Sequence, residues 1–248
     1  MYTYTSRILY SDVDTEGYLT LTGVMDAFQN CSSLQSEDLG IGMDYLREHS
    51  VVWLVTYWNI LVYRFPKLGE TVVTGTSPYQ LKGFTGWRNF SLSTEDGELL
   101  AEADSFWPLM NTETGKPERI HPVMLERYEL FPRFPMEKTQ RKVVLPAEDE
   151  CERTVYDPIP VGQFLLDTNG HVNNAQYVKI AAAEAPQLYK AHQLRVEYRK
   201  QAFPGDVIVP SHCRTRDGRE FFSLEDPQGE PYAVLTWADR KERTESQC

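Results

Sequence analysis

The stretch that decides the fold is Asp167-Thr168-Asn169-Gly170-His171-Val172-Asn173-Asn174, because the chain carries an earlier twin of it, Asp14-Thr15-Glu16-Gly17-Tyr18-Leu19-Thr20. Two further echoes follow in the same order. Phe65-Pro66-Lys67-Leu68-Gly69-Glu70-Thr71-Val72 resembles Ala202-Phe203-Pro204-Gly205-Asp206-Val207-Ile208. Phe90-Ser91-Leu92 resembles Phe222-Ser223-Leu224, each followed by Gly-Glu and closed by a Trp, Trp107 or Trp237. Three ordered matches at long separation describe a duplicated domain, not a short-period repeat array.

Each copy reads the same way. After the Asp- and Gly-bearing turn, Leu21, Val24, Met25, Phe28 and Cys31 recur at three- and four-residue steps, one apolar face of a helix. In the second copy Ala175, Val178, Ala182 and Ala185 do so, and Pro186 stops the helix. The small alanines call for close wrapping by other structure. Strand-like runs follow, rich in β-branched and aromatic residues: Val51–Tyr63, Thr71–Thr76, Gly86–Ser93 and Leu99–Met110, then Leu194–Lys200, Val207–Arg214, Phe221–Leu224 and Ala233–Trp237. One early helix and several antiparallel strands per copy predict an α+β module in which a sheet wraps a helix. The modules are expected over 1–135 and 146–248. A packed connector lies between Pro132 and Pro146, and the charged end Arg240 to Cys248 is expected to fray.

Bulk properties narrow the function. The chain has 248 residues, 41% hydrophobic, with a net charge of −11. That sign argues against a nucleic-acid-binding surface, which needs clustered Lys and Arg. No apolar run is long enough to span a membrane. The N-terminus lacks signal- or transit-peptide character, so a cytoplasmic protein is expected. Cys31, Cys151, Cys213 and Cys248 form no C-x-x-C pair and no metal-ligand spacing, and are read as reduced, unpaired thiols.

The second turn concentrates polar groups. Asn173 or Asn174 can cap the following helix. The helix start then offers free N–H groups and partial positive charge where an oxyanion could form. His171 can take a proton from water near neutral pH, and Asp167 can orient it. The first copy is an internal control: it keeps the acid as Asp14 but has Tyr18 in place of the imidazole.

The pattern Asp167-x-Asn169-x-His171-Val172-Asn173-Asn174-x-x-Tyr177 resembles the signature of acyl-acyl-carrier-protein thioesterases. Glu197-Tyr198-Arg199 resembles that family's following strand. Asp12-Val13-Asp14-Thr15-Glu16-Gly17 and the strand around Trp53 and Trp58 fit as well. The resemblance implies a double hotdog fold and hydrolysis of fatty acyl thioesters on acyl carrier protein, within fatty acid biosynthesis, with no metal or organic cofactor. It places Asp167, Asn169 and His171 at active-site positions. Where plant members read Glu-Tyr-Arg-Arg-Glu-Cys, this chain has Lys200-Gln201-Ala202 after Arg199, so a cysteine nucleophile there is excluded.

Water attack activated at His171 is therefore expected, helped by Gln201, with Asn169 and a backbone N–H holding the thioester oxygen. Glu184 on the second helix is an alternative base. Asn173, Asn174, Met25, Phe28 and Trp53 are the expected substrate contacts, with Val52 beside them. Arg195, Arg199 and Lys200 form a candidate basic patch for an acidic carrier protein. Acyl-CoA hydrolysis and a non-catalytic acyl-thioester sensor are the rival readings. A β-hydroxyacyl dehydratase is disfavoured because it would need an acid and base paired across the modules. Two fused modules permit a monomer, and a homodimer remains open.

Overall fold

The computed structural model describes residues 1–239. The first copy contains β1 (Tyr2–Arg7), α1 (Leu21–Asp38), α2 (Met43–Glu48), β2 (Val51–Trp53), β3 (Tyr57–Val62), β4 (Thr71–Lys82), β5 (Thr85–Thr94), β6 (Leu99–Asn111) and α3 (Pro122–Arg127). The second contains β7 (Cys151–Val155), β8 (Ile159–Pro160), α4 (Asn174–Glu184), β9 (Gln193–Tyr198), β10 (Val207–Thr215), β11 (Glu220–Glu225) and β12 (Pro231–Ala238). One antiparallel sheet runs in the order β1-β4-β5-β6-β3-β9-β12-β11-β10-β7. The order is its own echo about the β3–β9 seam, where Trp58 pairs with Val196 and Ile60 with Leu194. Two helix-in-sheet modules thus share a single sheet, which is the double hotdog.

The seam makes the halves interdependent. A single apolar core runs through both, from Phe28, Trp58 and Phe90 to Ala182, Val196 and Phe222. Phe28 stacks on Phe90 and Trp58 at centroid distances of 5.3 and 6.2 Å beneath α1. The α4 alanines behave as their size suggests: Ala175, Ala181 and Ala182 are buried, and α4 packs on α1 and β11. The modules are unequal. α1 has 18 residues against 11 in α4, and β4 and β6 reach 12 and 13 residues.

Three sequence expectations are corrected. The run Val51–Tyr63 is two strands, β2 and β3, both on β6. Pro108 of β6 stands opposite the break and has no N–H to give; only its carbonyl is used, accepting from Leu54 N at 3.0 Å. Cys151 and Cys213 are not free thiols: they form a disulfide between paired strands β7 and β10, with Cα atoms 5.8 Å apart. Cys31 is free and buried, while Cys248 and the rest of the segment expected to fray lie outside the described residues. The basic patch is not a set of free cations: Arg199 pairs with Glu197 at 2.8 Å and Lys200 with Asp226 at 2.5 Å, while Arg195 keeps its charge and donates to the Gln140 carbonyl.

The connector is held to the outer sheet face by side chains. Asn89 donates to the Pro132 carbonyl and accepts from Phe134 N, both at 3.0 Å. Arg133 reaches Asp104 at 3.2 Å, and Val143 N donates to Glu197 at 2.9 Å.

Candidate active site

The two turns have the same skeleton. Asp14 N donates to the Tyr18 carbonyl at 2.8 Å, and Asp167 N to the His171 carbonyl at 2.9 Å. Gly17 and Gly170, at φ 81° and 77°, donate back to the Asp14 and Asp167 carbonyls. This left-handed conformation is why both copies carry Gly at that place. In the first turn Asp14 Oδ1 accepts from Glu16 N and Tyr18 N at 2.9 and 3.0 Å. In the second, Asp167 Oδ1 accepts from Asn169 N at 2.7 Å, and Oδ2 faces His171 Nδ1 at 3.6 Å. Both acids therefore build a turn, but only Asp167 also has an imidazole beside it.

His171 is buried at 7% exposure. Its Nδ1 lies 3.3 Å from the Val172 carbonyl, and its Nε2 is enclosed with no partner among the described residues. A buried ring nitrogen left unpaired is uncommon. Asn173 is the N-cap of α4, accepting from Ala175 N at 2.8 Å, as Thr20 accepts from Gly23 N in the twin. The N–H of Asn174, the first helical residue, has no intrahelical acceptor available to it. Its carbonyl receives the Tyr198 hydroxyl at 2.9 Å, tying β9 to the helix start.

The turn opens on a cavity of about 780 Å³, inside the range of small-molecule sites. Asp167, Asn169, His171, Asn173, Asn174 and Gln201 line one end, and Met25, Val52 and Trp53 line it further in. Phe28, expected at the substrate, is not on this wall; it is fully enclosed in the core behind it. Glu184 is corrected as a base. It is exposed at the far end of α4, about 15 Å along the axis from Asn174, and does not line the cavity. Ala202 is fully buried, its carbonyl accepting from Val172 N at 2.9 Å and its N–H donating to the Tyr177 hydroxyl at 3.2 Å. That residue fastens the turn to the helix.

Two lining residues had no motif to announce them. Asp26 projects from α1 of the first module, and burial pushes its carboxyl above the ordinary range, partly offset by the charge of Lys179. Arg88 of β5 lines the same cavity. Among the described residues no group of three metal-ligating side chains comes together, and no helix is long and apolar enough to cross a membrane.

Two family models match the chain: the acyl-ACP thioesterase N-terminal domain over residues 1–128 and its C-terminal domain over 148–230. A chloroplastic acyl-[acyl-carrier-protein] hydrolase of Cuphea viscosissima is 30% identical over 200 residues, 75% of this chain and 44% of the relative. Oleoyl-acyl carrier protein thioesterase 1 of Arabidopsis thaliana is 24% identical, covering 79% of this chain and 59% of the relative. The chain thus spans about half the length of these curated relatives. A solved Lactobacillus plantarum structure with the provisional name oleoyl thioesterase superposes at TM-score 0.82 and 26% identity, over 97% of both chains.

Proposed function

Because this chain belongs to the acyl-ACP thioesterase family, we propose that it hydrolyses fatty acyl-acyl-carrier-protein to free fatty acid and carrier protein by direct attack of water. The observation that carries the reading is His171 in the cavity lining, with Asp167 3.6 Å from its Nδ1 and no protein partner for its Nε2 among the described residues.

In this reading the acyl chain lies in the cavity and its thioester carbonyl sits at the start of α4. His171 Nε2 takes a proton from water while the water oxygen bonds to the carbonyl carbon. The resulting oxyanion is held by the Asn169 amide and the Asn174 N–H, aided by the helix dipole. Collapse breaks the carbon–sulfur bond, and the imidazolium returns its proton to the departing thiolate. Asp167 stabilises the imidazolium across 3.6 Å and keeps the ring oriented. In the same reading Gln201, which lines the cavity, positions the water with its amide. Residue 202 is an enclosed alanine, so no nucleophile is available there.

The test is a release assay with matched acyl groups on carrier protein and on CoA. The reading expects acyl-carrier-protein turnover to exceed acyl-CoA turnover. Faster turnover of CoA thioesters would move the assignment to an acyl-CoA thioesterase, and no release from either would remove the enzyme reading.

A further inference from the structure

We propose that Arg88 is a recognition point for an oxygen group on the distal part of the acyl chain, so that the preferred thioesters carry a carboxylate or hydroxyl remote from the carbonyl; this rests on the thioesterase reading and specifies its substrate.

Arg88 is 8% exposed and charged, and it lines the cavity. Its Nη1 donates to Gln35 Oε1 and, at 3.1 Å, to Thr76 Oγ1, both neutral acceptors. The Tyr128 ring lies 5.2 Å from Cζ. Among the described residues no carboxylate lies within ion-pair distance of it. The other deeply buried charges are treated differently. Asp104 has Arg133, Glu225 has Arg153, and Glu220 has both His212 and Arg214. An enclosed charge without a counter-charge is costly, and burial works against the guanidinium holding its proton. Among the described residues only Nη1 makes a close hydrogen bond, and beyond it the Tyr128 side chain is the near polar neighbour of the guanidinium.

A second donor points the same way. Trp53 lines the same cavity, and its buried Nε1 has no acceptor among the described residues. The guanidinium and the indole thus both carry N–H groups without a protein acceptor among the described residues. A plain hydrocarbon end would leave all of them unmatched, whereas a carboxylate would accept two parallel N–H bonds from the guanidinium.

The register sets the reach. Arg88 of β5 pairs with Ser105 of β6, Ser105 with Trp58 of β3, and Trp58 with Val196 of β9. Arg88 is therefore three strand spacings, about 14 Å, from the strand that ends in Tyr198 beside the α4 start. A chain anchored at His171 and crossing Trp58 and Trp107 would bring its far end to Arg88, and all four residues line the one cavity.

The experiment is calorimetric binding of acyl-pantetheine amides, which cannot be hydrolysed, to the full chain. Straight-chain, ω-hydroxy and ω-carboxy forms are compared at several chain lengths. The expected result is about tenfold tighter binding of an ω-oxygenated form than of its straight-chain match at the best length, roughly one charge-assisted hydrogen bond. Arg88→Gln should erase the preference, and Arg88→Lys should keep part of it for the carboxylate. Straight chains binding as tightly at every length would overturn the proposal. If Arg88→Gln does not fold, the wild-type ranking alone decides. Binding is read without turnover, so a missing preference refutes the role of Arg88 even where hydrolysis stands. Missing hydrolysis refutes the thioesterase reading even where the preference stands.

Discussion

Replacing Asp14 and Asp167 each by alanine should separate turn-building from chemistry. Asp14 accepts two backbone N–H bonds and Asp167 one. At about 1.5 kcal/mol for each bond to a carboxylate, Asp14→Ala should cost about 3 kcal/mol and Asp167→Ala about 1.5 kcal/mol. For a chain of this size each kcal/mol shifts Tm by roughly 2–4 °C, so Asp14→Ala should melt lower by about twice as much. Turnover should show the reverse order. Asp167→Ala removes the charge 3.6 Å from His171 Nδ1 and should lower kcat by about 100-fold, the low end for impaired general acid–base catalysis. Asp14→Ala should leave kcat near wild type, because neither Asp14 nor Tyr18 lines the cavity and their turn has no imidazole to orient. Thermal melts and acyl-carrier-protein release, assayed well below the lower Tm, measure both. The reasoning is refuted if Asp14→Ala loses as much turnover as Asp167→Ala, or if Asp167→Ala keeps full turnover.

Phe28→Ala should lower stability by about 3–5 kcal/mol, seen as a fall in Tm, while leaving the ranking of acyl chain lengths unchanged, since the ring lies behind the cavity wall. Asp26 binds its proton more tightly folded than unfolded, because burial raises its pKa above 3.8. Its charge therefore begins to cost stability as pH rises past 3.8, and the cost is complete above the folded value. Asp26→Asn should accordingly raise Tm at neutral pH, with the gain vanishing in acid; a lower Tm at neutral pH would contradict this. Reducing the Cys151–Cys213 bridge, which closes a 62-residue separation, should cost up to about 4 kcal/mol in denaturant melts yet leave kcat unchanged, since neither cysteine lines the cavity.

Much of this architecture was legible because duplication leaves its mark in order. The Asp14 and Asp167 turns, the Phe65 and Ala202 loops and the Phe90 and Phe222 strands named the two modules before any packing was known. Helix faces followed from period, and α1 buries Leu21, Val24, Met25, Phe28 and Cys31 as the spacing required. What depended on register was hidden. Cys151 and Cys213 share no motif and meet only because β7 pairs with β10. The break after Trp53 is set by Pro108 on a different strand. Periodicity placed Met25 and Phe28 on one helix face, yet only Met25 reaches the cavity; which residue faces a void depends on the wall opposite. Asp26 and Arg88 were missed for a related reason. Each is a lone charge in an otherwise ordinary helix or strand, and the signal would have been a charged residue within a buried face: Asp26 beside Met25 on α1, Arg88 two positions before Phe90 on β5.

The most direct test of the central claim, water activated at His171, is a single-turnover reaction of fatty acyl-carrier protein in ¹⁸O-labelled water, run with wild type and with His171→Ala. The account predicts immediate release of singly labelled fatty acid without an acyl-enzyme, and a loss of about 100-fold or more in His171→Ala. Accumulation of an acylated protein, or release by His171→Ala at the wild-type rate, would contradict it.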